Sequence, residues 1–156
     1  MSLINIRNFA LVAVLGFLVS ACATGGTKKR TANDWYEGTD TVKFLADGVP
    51  DRVFFATNKS GLHTASKSTL NKQAAYIKSS GISVVVEGHA DERGTREYNL
   101  ALGERRANAV RDYLMSQGVS GSNVTVISYG KERPVNPESS RLAWSQNRRS
   151  VTVKAK

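Results

Sequence analysis

Two stretches of helical periodicity with one alternating strand between them constrain this chain more than any other feature. Leu62, Ser66, Leu70, Ala74 and Ile77 recur at spacings of four and three, with Thr64 as the cap and Gly81 as the stop. Ile82, Val84 and Val86 then alternate with Ser83, Val85 and Glu87, a strand apolar on one face and nearly so on the other. Residues 95–117 return to helical spacing, with Leu100, Ala107, Val110 and Leu114 on one face, Gly103 expected to break or bend the helix, and Gly118 closing it. Around this nucleus, residues 51–56 carry the β-branched and aromatic cluster Val53, Phe54 and Phe55, and residues 124–129 and 150–154 read as further strands. Residues 130–147, with Pro134 and Pro137, are expected to form a loop with one short helical turn. The expected order is βαβαββ. Such an order is an α/β fold, a two-layer sandwich in which two main helices cover a mixed four-stranded sheet.

The start of the chain points to export. Arg7 precedes the apolar run at residues 9–19, which suits the apolar core of a signal peptide and is too short to span a bilayer. The run ends in Ser20-Ala21-Cys22, and Cys22 is the only cysteine of the 156 residues. This junction resembles the lipobox of bacterial lipoproteins. The resemblance implies that residues 1–21 are a signal peptide and that Cys22 is a lipidation site. Each buried methylene of an acyl chain contributes about 0.8 kcal/mol, so several chains on one cysteine make a lasting membrane anchor. Ala23, standing where a retention aspartate would be, implies sorting to the cell outer membrane, on its periplasmic face.

Residues 22–50 are rich in Thr, Gly, Lys and Asp without a sustained period, and are expected to be a flexible tether of about 30 Å root-mean-square span. Trp35-Tyr36 and Phe44-Leu45 are expected to touch the domain only transiently. Residues 51–156 are then the single globular domain. The charge is unusual: 22 Lys and Arg against 13 Asp and Glu give +9, which calls for an anionic partner without choosing among nucleic acid, membrane surface and acidic polymer.

The residues that carry recognition run from Glu87-Gly88-His89-Ala90-Asp91-Glu92-Arg93-Gly94 into Thr95-Arg96-Glu97-Tyr98-Asn99 and on to Arg105-Arg106. Asp91 follows the carboxyl end of a strand, the edge of an α/β sheet where ligands bind. Asn99, Leu102 and Arg106 lie at i, i+3 and i+7, one stripe if the helix is roughly continuous. One carboxylate beside one fixed guanidinium complements a zwitterion with ammonium and carboxylate on one carbon.

This segment, with Ser128-Tyr129-Gly130-Lys131-Glu132-Arg133-Pro134 and Trp144-Ser145-Gln146-Asn147-Arg148-Arg149, resembles the OmpA-like peptidoglycan-binding domain from about Asp51 to Val153. The resemblance implies binding of the meso-diaminopimelate of uncrosslinked wall peptides, with Asp91 and Arg106 at the paired ligand positions and Asn99 and Leu102 lining the pocket. For lipid-anchored members it implies TolB and other Tol proteins as partners, the wall and TolB competing for overlapping surface, and a role in envelope integrity and cell division without a cofactor. One departure stands out: such members commonly carry aspartate where this chain has Ala56, with Asn58 two further on. A lost charge-assisted hydrogen bond costs about 1.5–3 kcal/mol.

Three rivals are weaker. A periplasmic metal-dependent hydrolase would use Glu87, His89 and Asp91, spaced two apart along a strand, but there is no cysteine in the domain, and His63 has no ligand spacing to them. His89 is instead expected to support the loop by hydrogen bonding. Nucleic-acid binding suits the charge but not the export signal, nor is there aromatic-basic alternation; Arg105 is expected to meet Asp112 or the neighbours of Glu104, and Arg148 or Arg149 a loop acid. An ion-channel stator subunit would need a transmembrane helix.

Overall fold

The computed structural model describes Tyr36 and residues 38–156. The expected signal segment, Cys22 and the first part of the tether lie outside the described residues. The elements are β1 (Phe44–Ala46), β2 (Val49–Pro50), β3 (Arg52–Phe54), α1 (Thr64–Ser80), β4 (Val84–His89), α2 (Arg96–Ser116), a 3-10 turn (Gly121–Asn123), β5 (Val124–Gly130), α3 (Arg141–Asn147) and β6 (Arg149–Lys154).

The expected four-stranded mixed sheet is present, in the order β3-β6-β4-β5. β6 enters between β3 and β4 antiparallel to both, and β4 pairs in parallel with β5 through the α2 crossover. The carboxyl ends of β3, β4 and β5 therefore share one edge with the start of β6. One face is apolar because strand side chains alternate: Val53, Phe55, Val84, Val86 and Val124 meet Leu70, Ala74 and Ile77 of α1 and Ala107, Val110 and Leu114 of α2. Among the described residues no helix is long and apolar enough to cross a membrane.

Four local expectations change. α1 begins at Thr64, with His63 in the cap position, and ends at Gly81 in the left-handed region (φ 64°), whose N–H returns to the Ile77 carbonyl. α2 runs unbroken through Gly103. This glycine serves packing: a Cβ on it would collide with Ser128 Oγ and lie 2.9 Å from the Gly88 carbonyl oxygen, and a Cβ on Gly88 would collide with the Gly103 carbonyl. The missing side chains let α2 lie directly on β4. The helical turn before β6 is a seven-residue helix capped by Ser140, which accepts from Ala143 N–H.

Finally, residues 44–50, read as tether, form the antiparallel β1–β2 hairpin, and Leu45 joins the core at 7% exposure. Tyr36 packs edge-on against Phe54 at 4.8 Å, and Gln146 donates to Asp40 at 2.9 Å. These contacts are part of the folded unit. A strand of three residues with one core side chain shows no period along the sequence, so composition alone reads it as linker.

Candidate functional site

At the shared edge, the loop after β3, the 90–95 loop between β4 and α2, the segment after β5 and the end of α3 converge on Asp91. The loop is held from several sides. Ala90 N–H donates to the Gly130 carbonyl at 2.7 Å, Lys131 Nζ to the carbonyls of Glu92 and Gly94 at 3.2 and 2.7 Å, and Asn99 Nδ2 to the Arg93 carbonyl at 2.9 Å. Thr95 caps α2 by accepting from Tyr98 N–H. Glu92 Oε1 accepts from Ser139 Oγ at 2.5 Å and from Trp144 Nε1 at 2.8 Å, which fastens the loop to α3. Those bonds, the Ser139 one foremost, hold the Glu92 carboxyl below its usual range.

The Asp91 carboxylate is buried and fully engaged. Oδ1 accepts from Arg93 N–H at 3.1 Å and Arg93 Nε at 3.0 Å; Oδ2 accepts from Arg93 Nη2 at 2.8 Å and Arg148 Nη1 at 3.5 Å. Burial alone would raise its pKa. The Arg93 side-chain and backbone hydrogen bonds, with the Arg93 and Arg148 charges, outweigh it and hold the carboxyl below its ordinary value.

Arg106 sits beneath this mouth rather than in it. It is fully buried. Its Nε donates to the Lys59 carbonyl at 2.9 Å, Nη1 to His89 at 2.8 Å and Nη2 to Ala56 at 3.1 Å, and the guanidinium lies 5.2 Å from the Phe55 ring. Burial first, then the Arg148 charge, lowers its pKa to about 10, so it stays cationic at neutral pH. Three of the five guanidinium N–H groups of Arg106 thus donate to backbone carbonyls, so the residue that the resemblance puts at a ligand position also holds the loop after β3 to the end of β4. Position 56 thus contributes a carbonyl to Arg106 even without an acidic side chain. Arg148 repeats the device, with Nε donating to the Phe55 carbonyl at 3.0 Å.

Asp91, Asn99 and Arg106 are therefore gathered within one loop framework. Asn99 and Leu102 are both buried, at 2% and 3% exposure, Asn99 as a brace for the Arg93 backbone and Leu102 outside the main core cluster. Sequence reasoning missed Arg93 as a partner of Asp91, and Trp144 as the platform 4.3 Å under the Arg93 guanidinium, and gave Arg148 a loop acid without saying which. The signal for Arg93 was available: an aspartate in a turn accepts from the N–H two residues on, which brings the i+2 side chain back to the same carboxylate.

The metal-ligand trio does not assemble. Glu87 and His89 share the outer sheet face, with Glu87 Oε2 3.5 Å from His89 Nε2, while Asp91 turns into the loop. His89 makes no side-chain hydrogen bond, contrary to expectation; its carbonyl, not its ring, serves the loop by accepting from Arg106. Burial, then Arg149, Arg52 and Arg133, lowers the ring pKa to about 3, and those three guanidiniums would repel a metal cation. Among the described residues no three metal-ligating side chains converge. Arg105 lies 6.0 Å over the Tyr98 ring rather than against Asp112, whereas Arg148 does meet a loop acid, Asp91.

Residues 54–148 match the OmpA family. A peptidoglycan-associated lipoprotein of Rhizobium meliloti is 54% identical over 157 aligned residues, covering 94% of this chain and 88% of that one. One of Mesorhizobium japonicum is 43% identical, covering 94% and 92%. The crystal structure of the peptidoglycan-associated lipoprotein from Burkholderia pseudomallei is similar at TM-score 0.65 and 38% identity, covering 67% of this chain and 90% of that one.

Proposed function

Because this chain belongs to the OmpA family and matches peptidoglycan-associated lipoproteins over nearly its whole length, we propose that it is a wall-binding lipoprotein rather than an enzyme, one that ties the outer membrane to peptidoglycan. The observation that carries this reading is the Asp91 mouth: one carboxylate with the guanidiniums of Arg93 and Arg148 on it and that of Arg106 below. Three cations against one anion leave a local excess of positive charge, which suits a ligand bringing carboxylate, while Asp91 suits its ammonium.

The ligand is the diaminopimelate of an uncrosslinked stem peptide, whose free end carries both groups on one carbon. Asp91 receives the ammonium. Arg106 contributes mainly by fixing the floor, since it holds residues 56–59 and the end of β4 together. Asn99 and Leu102 support the mouth from α2. Cys22 is the lipid attachment, and 1–21 the segment removed before it. TolB and other Tol proteins are the protein partners, competing with the wall for the same face and linking the tether to cell division. Affinity at one site need not be high, because a membrane-held domain facing a repeating polymer rebinds at high effective concentration.

The test is retention of residues 23–156 on purified wall sacculi. Wild type is retained and Asp91→Ala is not; Arg106→Ala loses retention together with stability, followed in parallel by circular dichroism. Failure of the wild type to be retained overturns the function, and equal retention of folded Asp91→Ala overturns the site.

A further inference from the structure

Asp91 already holds a cation. Arg93 grips both its oxygens as a fork, at 3.0 and 2.8 Å, so a ligand ammonium reaches this carboxylate only by displacing at least one arm of that fork. The two partners differ in exposure: the Arg93 side chain is 42% exposed and that of Asp91 8%. Arg93 is thus the member able to move. Its backbone stays in place when it does, because Asn99 holds its carbonyl. Its guanidinium keeps a platform in Trp144, which Glu92 fastens to the same loop, and Nη2 also reaches Thr57 Oγ1 at 3.4 Å.

Displacement has an electrostatic consequence. Once an ammonium occupies Asp91, the Arg93 guanidinium stands close to Arg148, which shares Asp91 Oδ2 with it, and its carboxylate is shared or lost. Like charges at such separations in a half-buried site are costly; the other carboxylate of the loop, Glu92, is already engaged by Ser139 and Trp144, so an anion brought by the ligand restores the balance. We propose that Arg93 is a specificity-determining residue: its ion pair with Asp91 is exchanged for two pairs with the ligand, ammonium to Asp91 and carboxylate to Arg93, so that only a ligand carrying both groups side by side is taken up. An amine without the neighbouring carboxylate displaces Arg93 and gives it nothing in return. The exchange makes the internal pair a filter against stem peptides ending in a simple amine.

The inference rests on the wall-binding reading, and the experiment separates the two. The full chain is titrated calorimetrically with two stem tripeptides identical except at the third residue, one with meso-diaminopimelate and one with lysine, whose side chain bears the amine alone. Wild type should prefer the diaminopimelate peptide at least tenfold. Arg93→Met, which keeps a long side chain against Trp144, should bring that ratio to within about twofold of one, by weaker binding of diaminopimelate and equal or stronger binding of lysine. Arg93→Gln should do the same and stands in if the first variant fails to fold. A preference that survives in a folded variant overturns the role of Arg93 while leaving the wall-binding reading intact. Wild type that binds neither peptide overturns both.

Discussion

The guanidinium of Arg106 donates to the carbonyl oxygen of Ala56 at 3.1 Å, a bond between residues fifty positions apart. With the bonds to Lys59 and His89, it ties the loop after β3 to the end of β4 through one side chain of α2. Removing that side chain takes a donor from three carbonyls at once, of which that of Ala56 keeps the Lys59 N–H. Arg106→Ala should destabilise the domain by about 3 kcal/mol or more in urea titration, and Arg106→Lys should recover only a small part. A loss below about 1 kcal/mol would mean that the loop is held by other contacts.

The glycine pair under α2 gives a second expectation. Gly103→Ala places a methyl against Ser128 Oγ, which can rotate, and the Gly88 carbonyl, which cannot. Overpacking of this kind costs about 1–3 kcal/mol. Gly88→Ala meets backbone alone and should cost more, both variants being read as lowered melting temperatures.

Leu45 tests where the folded unit starts. Leu45→Ala removes a core side chain of the hairpin and should cost about 2 kcal/mol or more, the range of buried leucine truncations. If residues 44–50 were a passive tether, the substitution would leave the denaturation midpoint unchanged.

Acid should weaken the fold through His89. Its ring has a folded-state pKa of about 3 against a usual 6.5, because burial and then the charges of Arg149, Arg52 and Arg133 oppose protonation, with Glu87 the nearby acid. Between those values the unfolded chain binds a proton that the folded chain does not. Stability therefore falls as pH drops below about 6.5, by at most about 1.4 kcal/mol per pH unit, down to about pH 3. Denaturation midpoints of His89→Leu measured from pH 7 to 4 should show a flatter slope than wild type. Asp91 acts in a lower window: its pKa is depressed, so its contribution is complete above its ordinary value of 3.8 and is lost as pH falls through the folded value.

Much of the sheet and both long helices were legible because their burial repeats with a period: Leu70, Ala74 and Ile77 on α1, and Val84 and Val86 on β4, stand in the core as the spacing implies. Leu45 was not legible, since one apolar residue among polar neighbours has no period. The position of Asp91 just beyond the carboxyl end of β4 was also readable from the sequence. The burial of Arg106 was not. On a helical stripe its charge reads as surface, and only the carbonyls of Ala56, Lys59 and His89, brought in from two other segments, make a buried guanidinium stable. Arg93 lay within the recognised stretch, but its role depends on a two-residue turn that periodicity does not register.

The most direct measurement is the calorimetric affinity of the full chain for a diaminopimelate-containing stem peptide, compared between wild type and Asp91→Asn, a change that keeps shape and removes charge. The account predicts saturable binding by wild type and an affinity at least tenfold lower in the variant, the worth of one charge-assisted hydrogen bond of about 1.5 kcal/mol or more. Equal affinities in two folded proteins, or no binding by wild type, would contradict it.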